Sequence, residues 1–97
     1  MKQLTEFSFI DKLKSLPFVE AIYLFGSRAR GDAHERSDID LAIVCPSADI
    51  KDWLQVIDIV DEADTLLKID CIRLDRLSDE RLKAEIERDK VTLYARK

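Results

Sequence analysis

GSRARGDAHERSDIDLAIV, residues 26–44, is the stretch on which the fold turns. The pair Gly26-Ser27 closes one apolar run, ten residues follow, and Asp38-x-Asp40 opens the next apolar run. The run before it, residues 19–25, is short, rich in β-formers and ended by glycine, which predicts a buried strand rather than a helix of ordinary length. Gly26 and Ser27 then stand where that strand turns into the next element, with backbone N–H groups available to an anion. Glycine lets a phosphate come close to the backbone and Ser27 adds a hydroxyl donor. Arg28 and Arg30 supply fixed positive charge suited to a polyphosphate.

Asp38 and Asp40 are two apart at the head of a predicted strand, and the period of two puts both carboxylates on one face. Their Cα atoms should lie roughly 6.5 to 7 Å apart at about 3.3 Å of rise per residue. That spacing lets two carboxylates share hard cations such as Mg²⁺, and in two-metal sites the ions stabilise both the attacking and the leaving oxygen of an in-line displacement at phosphorus. A plain strand-entry turn explains Ser37 and Asp38, whose side chains bond readily to nearby backbone. It does not explain Asp40, which follows Ile39 into an apolar strand where an unpartnered carboxylate is costly. A phosphate cradle one loop before an acid pair is what transfer from a nucleoside triphosphate needs, because that chemistry is mostly positioning and charge stabilisation.

Gly26-Ser27, ten residues and Asp38-x-Asp40 together resemble the signature of the DNA polymerase β-like nucleotidyltransferase superfamily. Arg30-Gly31 and Ser37 resemble its small prokaryotic branch, the minimal nucleotidyltransferases or MNT proteins. The likeness extends along nearly all 97 residues, including a later strand with Asp70 and a closing Val91-x-Leu93-Tyr94 segment. The resemblance implies an α/β polymerase β-like fold, a small mixed sheet of about four strands with about three helices packed on it. It implies Mg²⁺, two ions, held by Asp38, Asp40 and Asp70, with Asp70 also taking the proton of the attacking hydroxyl. Gly26, Ser27 and Arg30 are the implied nucleotide-binding residues. The implied activity is transfer of a nucleoside monophosphate, AMP from ATP, to a hydroxyl. The implied partner is a HEPN-family helical toxin that is modified on a tyrosine, which makes this chain an antitoxin.

Two rivals belong to other classes. One is a non-catalytic antitoxin that neutralises its partner by covering it. The other is nucleotidyl transfer to a small molecule such as an aminoglycoside, with a homo-oligomer completing the pocket. Asp70 also has a plainer explanation as half of an ion pair, and Asp75 competes for its role from the end of the strand.

Length and composition narrow the field further. A chain of 97 residues fits a single nucleotidyltransferase domain, residues 1–97, and 46% hydrophobic with 37% charged residues excludes disordered and fibrous classes. A formal charge of −4 argues against extended nucleic-acid binding, which draws on a basic surface. Arg28, Arg30 and Arg36 form a local basic cluster better matched to a triphosphate. Cys45 and Cys71 make no disulfide framework, and no run approaches membrane-spanning length, so a cytoplasmic setting is expected without membrane attachment.

Outward from the motif, Leu4, Phe7, Ile10 and Leu13 predict an amphipathic first helix stopped by Pro17. Residues 28–37 should hold at most a short helical turn, then a polar loop that could serve as a lid, with His34 exposed in it. A second strand covers residues 38–45 and ends at Pro46. Ile50, Trp53, Leu54, Ile57 and Val60 mark the apolar face of a second helix capped by Ser47 or Asp49. Residues 68–74 form a third strand carrying Asp70, and Ser78 starts a third helix that buries Leu82 and Ile86. Residues 91–95 close the chain as a final strand.

Overall fold

A computed structural model describes residues 7–34 and 37–96. Leu4 and Arg36, which entered the expectations above, lie outside them. Four strands, β1 (Ala21–Phe25), β2 (Ile39–Val44), β3 (Ile69–Arg73) and β4 (Val91–Ala95), form one sheet in the order β3-β2-β1-β4. β1 runs antiparallel to β2 and β4, while β2 and β3 are parallel, so the sheet is mixed as expected. The parallel pair is joined by a crossover through helix α3 (Ile50–Asp61), the connection that parallel neighbours require.

Alternation along the strands assigns the two faces. Leu24 pairs with Leu41 and Ile22 with Ile43, and all four are buried together with Ile39. This face receives helix α1 (Ser8–Lys14), through Phe9, Ile10 and Leu13, and α3, through Val56 and Val60. Each of these large apolar side chains contributes about 1.5 to 3 kcal/mol on full burial. The other face carries Phe25 opposite Asp40, and Asp40 opposite Asp70. One face therefore holds the core, and the other presents the acids.

Three expectations change in detail and one, the cap of α3, is narrowed. The described residues hold four α-helices rather than about three, because residues 26–30 form a five-residue helix, α2 (Gly26–Arg30), ended by Gly31 in the left-handed region at φ +84°. In α3 the buried stripe is Val56 and Val60 with Trp53 partly covered, whereas Ile50 and Leu54 point to solvent. The apolar arc of that helix is wider than the core it meets, so the 3.6-residue period alone could not say which edge would be buried. Asp49 caps α3 in a reciprocal capping box with Asp52, which settles the choice against Ser47. Helix α4 (Glu80–Asp89) is capped by Asp79, whose Oδ1 accepts from the Leu82 N–H at 3.1 Å, not by Ser78.

At the carboxyl ends of β2 and β3 lies a polar clamp. Asp75, in the 3₁₀ turn after β3, accepts from the Cys45 N–H at 2.9 Å and from Arg73 Nε at 3.1 Å. Arg73 Nη2 donates to the Cys45 and Ala48 carbonyls at 2.9 and 2.8 Å, and its guanidinium lies 5.9 Å from the Trp53 ring. Asp75 thus ties the chain after β2 to β3. No described helix is long and apolar enough to cross a membrane.

Candidate active site

The acids come from three places. Asp40 is the second residue of β2, Asp70 is the second of β3, and parallel pairing sets them directly opposite each other. Asp38 precedes the first residue of β2, near enough for its charge to act on Asp40. All three are half-buried. Their convergence shows in the Asp40 carboxyl, whose pKa is raised by burial first, then by the negative charges of Asp70 and Asp38 and by a hydrogen bond with Asp70. Arg30 opposes that shift. The sequence-predicted acids are therefore brought together around Asp40.

Gly26 completes the cluster from below. Its φ is +75°, and a Cβ built on it would overlap the Asp40 carboxylate, lying 3.1 Å from Cγ. The turn out of β1 and the carboxylate of β2 occupy adjoining space only because residue 26 has no side chain. Ser27 follows in the first turn of α2, half-buried, and its carbonyl accepts from the Asp32 N–H at 3.1 Å. The predicted cradle and the acid pair are thus in contact, joined through the pairing of Phe25 with Asp40.

The two arginines take different directions. Arg30, half-exposed, reaches Asp32 at 3.2 Å and Asp89 at the end of α4 at 3.7 Å, while its charge still acts on Asp40. Arg28 turns to the chain itself, donating from Nε and Nη2 to the Ser37 carbonyl at 3.2 and 2.8 Å. The loop expected as a lid is held at its described ends: the Ser37 N–H donates to the His34 carbonyl, and the His34 N–H to Ser37 Oγ, both at 3.0 Å.

Sequence reasoning missed Lys68, whose Nζ lies 3.6 Å from Asp70 Oδ1. Its signal was present in the sequence, since a residue two before Asp70 in a strand shares its face. A cavity of about 270 Å³ opens where α3 runs toward β3, lined by Val60, Ala63, Leu67 and Ile69 among others. Lys68 also lines it, so its rim adjoins the side chain that pairs with Asp70.

Among the described residues, no three His, Cys, Asp or Glu side chains stand together as a ready-made metal site. Mg²⁺ does not demand one, since it is commonly held by one or two carboxylates, waters and substrate phosphates. The donor set fits such a cation. Burial foremost, and then repulsion from Asp70 and Asp38, holds up the Asp40 pKa, and that repulsion is what a dication relieves.

Comparison with known proteins adds independent findings. The family described as "Polymerase beta, Nucleotidyltransferase" matches residues 8–97. A protein adenylyltransferase, MntA of Shewanella oneidensis, is 44% identical over 45 residues, which are 45% of this chain and 32% of that relative. The match thus spans about a third of that relative's length. Among solved structures, a chain from a toxin–antitoxin crystal structure with AMP-PNP superposes with a TM-score of 0.63 at 25% identity, covering 91% of this chain and 72% of that one. A chain from the tri-AMPylated Shewanella oneidensis HEPN toxin in complex with MNT antitoxin gives 0.65 at 25% identity, covering 98% and 73%.

Proposed function

Because the chain belongs to the polymerase β nucleotidyltransferase family, we propose that it transfers AMP from ATP to a tyrosine hydroxyl of a HEPN-type toxin partner and acts as that partner's antitoxin. The observation that carries this reading is the Asp40 carboxylate, crowded by Asp70 and Asp38 and set against the bare backbone of Gly26. The Shewanella oneidensis relative, named as a protein adenylyltransferase, and the complex with a tri-AMPylated toxin support both the activity and the class of acceptor.

In this reading Gly26 and Ser27 orient the triphosphate through backbone N–H groups and the serine hydroxyl, and Arg30 adds positive charge beside it. Asp38 and Asp40, with Asp70, would hold two Mg²⁺ ions, which supply charge neutralisation at the phosphates when bound. Asp70 accepts the proton of the acceptor hydroxyl. The hydroxyl oxygen bonds to the α-phosphorus as the bond to the β-phosphate bridging oxygen breaks, and pyrophosphate leaves. Lys68 stands beside Asp70, its Nζ 3.6 Å from Oδ1, and adds positive charge at that edge of the site.

A reducing, cytoplasmic setting belongs to the same reading. Cys45 and Cys71 are free thiols, and burial foremost pushes their pKa values up to about 11 and about 12, which keeps them protonated and slow to oxidise.

The test mixes the protein with α-labelled ATP, Mg²⁺ and its co-purifying partner and follows the label. Label on the partner, lost in Asp38→Asn and Asp40→Asn proteins that remain folded, is the expected result. A tight complex without label means neutralisation by covering, and label on an added aminoglycoside means a small-molecule acceptor. Either outcome overturns the proposal.

A further inference from the structure

The geometry points to Arg28 as a positioning residue for Asp38, a clamp on the backbone rather than a ligand of the triphosphate. This rests on the reading of the site given above.

Of the three acids, Asp40 and Asp70 are fixed by the sheet, because each sits inside a strand and opposite the other. Asp38 has no place in that ladder. It lies between two anchored points. On its carboxyl side the Ile39 N–H donates to the Lys68 carbonyl at 2.9 Å. On its amino side the Ser37 carbonyl, which shares a peptide plane with the Asp38 N–H, accepts two bonds from Arg28, at 3.2 Å from Nε and 2.8 Å from Nη2. A peptide plane is rigid, so holding its oxygen sets the direction in which the backbone enters Asp38.

Both donors come from one edge of a planar guanidinium, which fixes orientation as well as distance. Arg28 itself stands on α2, two residues after Gly26. The clamp therefore bridges a separation of nine positions, from 28 to 37, and locks the distance between the phosphate cradle and the one acid that the sheet does not hold. Nothing in this role needs Arg28 to touch nucleotide.

Two predictions separate these roles. A clamp acts on cation binding through Asp38 and leaves the affinity for metal-free nucleotide alone. A phosphate ligand does the reverse. The experiment uses the full chain as wild type, Arg28→Ala and Arg28→Lys, with Mn²⁺ as the metal probe and a non-hydrolysable ATP analogue as the nucleotide probe. We expect Mn²⁺ to bind Arg28→Ala roughly 10- to 100-fold more weakly, the range typical of residues that orient metal ligands. Metal-free analogue should bind as in wild type, and added methylguanidinium should restore Mn²⁺ affinity by refilling the gap beside Ser37. Arg28→Lys should recover only part of the loss, since an ammonium lacks the fork.

Thermal melts run alongside. Should Arg28→Ala fail to fold, Arg28→Lys decides by the same two affinities. Unchanged Mn²⁺ affinity in the folded variant overturns the clamp, and so does a loss confined to metal-free nucleotide. AMP transfer is followed in the same samples to tell the two inferences apart. Mn²⁺ binding that depends on Arg28 in a wild type that moves no nucleotide removes the transferase and leaves the clamp. Equal transfer rates in wild type and Arg28→Ala remove the clamp alone. A wild type that binds no Mn²⁺ overturns both.

Discussion

The parallel strands β2 and β3 carry a polar cluster at each end, and the two are built on opposite terms. At their carboxyl ends, Asp75 and Arg73 are mostly buried, bonded to each other and to three backbone groups. At their amino ends, Asp40 is made harder to ionise, by burial first and then by the charges of Asp70 and Asp38. Both clusters draw on one strand pair and lie only a few residues apart. The contrast separates polar groups that hold a fold from polar groups whose burial is poorly offset, the class to which the proposed function assigns the chemistry.

The sharpest way to break that contrast is Asp40→Asn. If the amino-end cluster exists for catalysis, AMP transfer should fall about 1,000-fold or more, read from label incorporation, as for loss of a principal electrostatic group. Stability should move the other way. The Asp40 pKa is raised in the folded protein, so the folded state holds that proton more tightly than the unfolded chain, whose value is near 3.8. Its contribution is most favourable below that value and is lost as pH rises through the raised one. Asp40→Asn should therefore melt higher than wild type at neutral pH, with the gain shrinking as pH is lowered toward 4. A variant that melts lower at neutral pH would put Asp40 in the holding class.

Arg73→Ala probes the other end. Removing one partner strands the Asp75 carboxylate and frees two carbonyls, which should cost about 2 to 3 kcal/mol in denaturant unfolding, discounted for the partial exposure of the pair. Transfer per folded molecule should hold. A stability change within about 0.5 kcal/mol would erase the distinction between the ends.

Gly26→Ala falls between. The left-handed backbone alone costs about 1 to 2 kcal/mol for an L side chain, and the added methyl displaces the Asp40 carboxylate. Activity should drop by far more than that figure implies, measured against a melt of the same protein. The smallest effect belongs to Lys68→Met. Its ion pair with Asp70 is exposed, so stability should change by no more than about 0.5 kcal/mol in denaturant unfolding, with transfer, read from label incorporation, changing less than in Asp40→Asn or Gly26→Ala.

Much of this was legible beforehand for identifiable reasons. Asp40 stood out because a carboxylate inside an apolar strand demands an explanation, and Asp70 because it interrupts an otherwise apolar face. The last strand, residues 91–95, matches its expected bounds, while the other three run one or two residues shorter than expected at their ends, as at Val19 and Cys45, where apolar content outlasts the ladder. Directions of long side chains were not legible. Arg28 and Arg30 read alike as charge near a phosphate, yet one grips a carbonyl nine residues on and the other bridges to α4. Asp75 read as a turn residue, and it is one. Its bond to the Cys45 N–H depends on the parallel register of β2 and β3, which no local pattern states. Ser78 and Asp79 are both competent caps in sequence, and the choice between them follows from where the chain leaves the 3₁₀ turn.

The bare α-carbon at position 26 also has a genetic consequence. Every codon change that alters glycine adds at least one carbon, and here the first carbon added would run into the Asp40 carboxylate. A selection for inactive alleles should therefore recover many different replacements at this codon. At Arg73, by contrast, recovered alleles should be scarce at low temperature and frequent only when the host is grown warm.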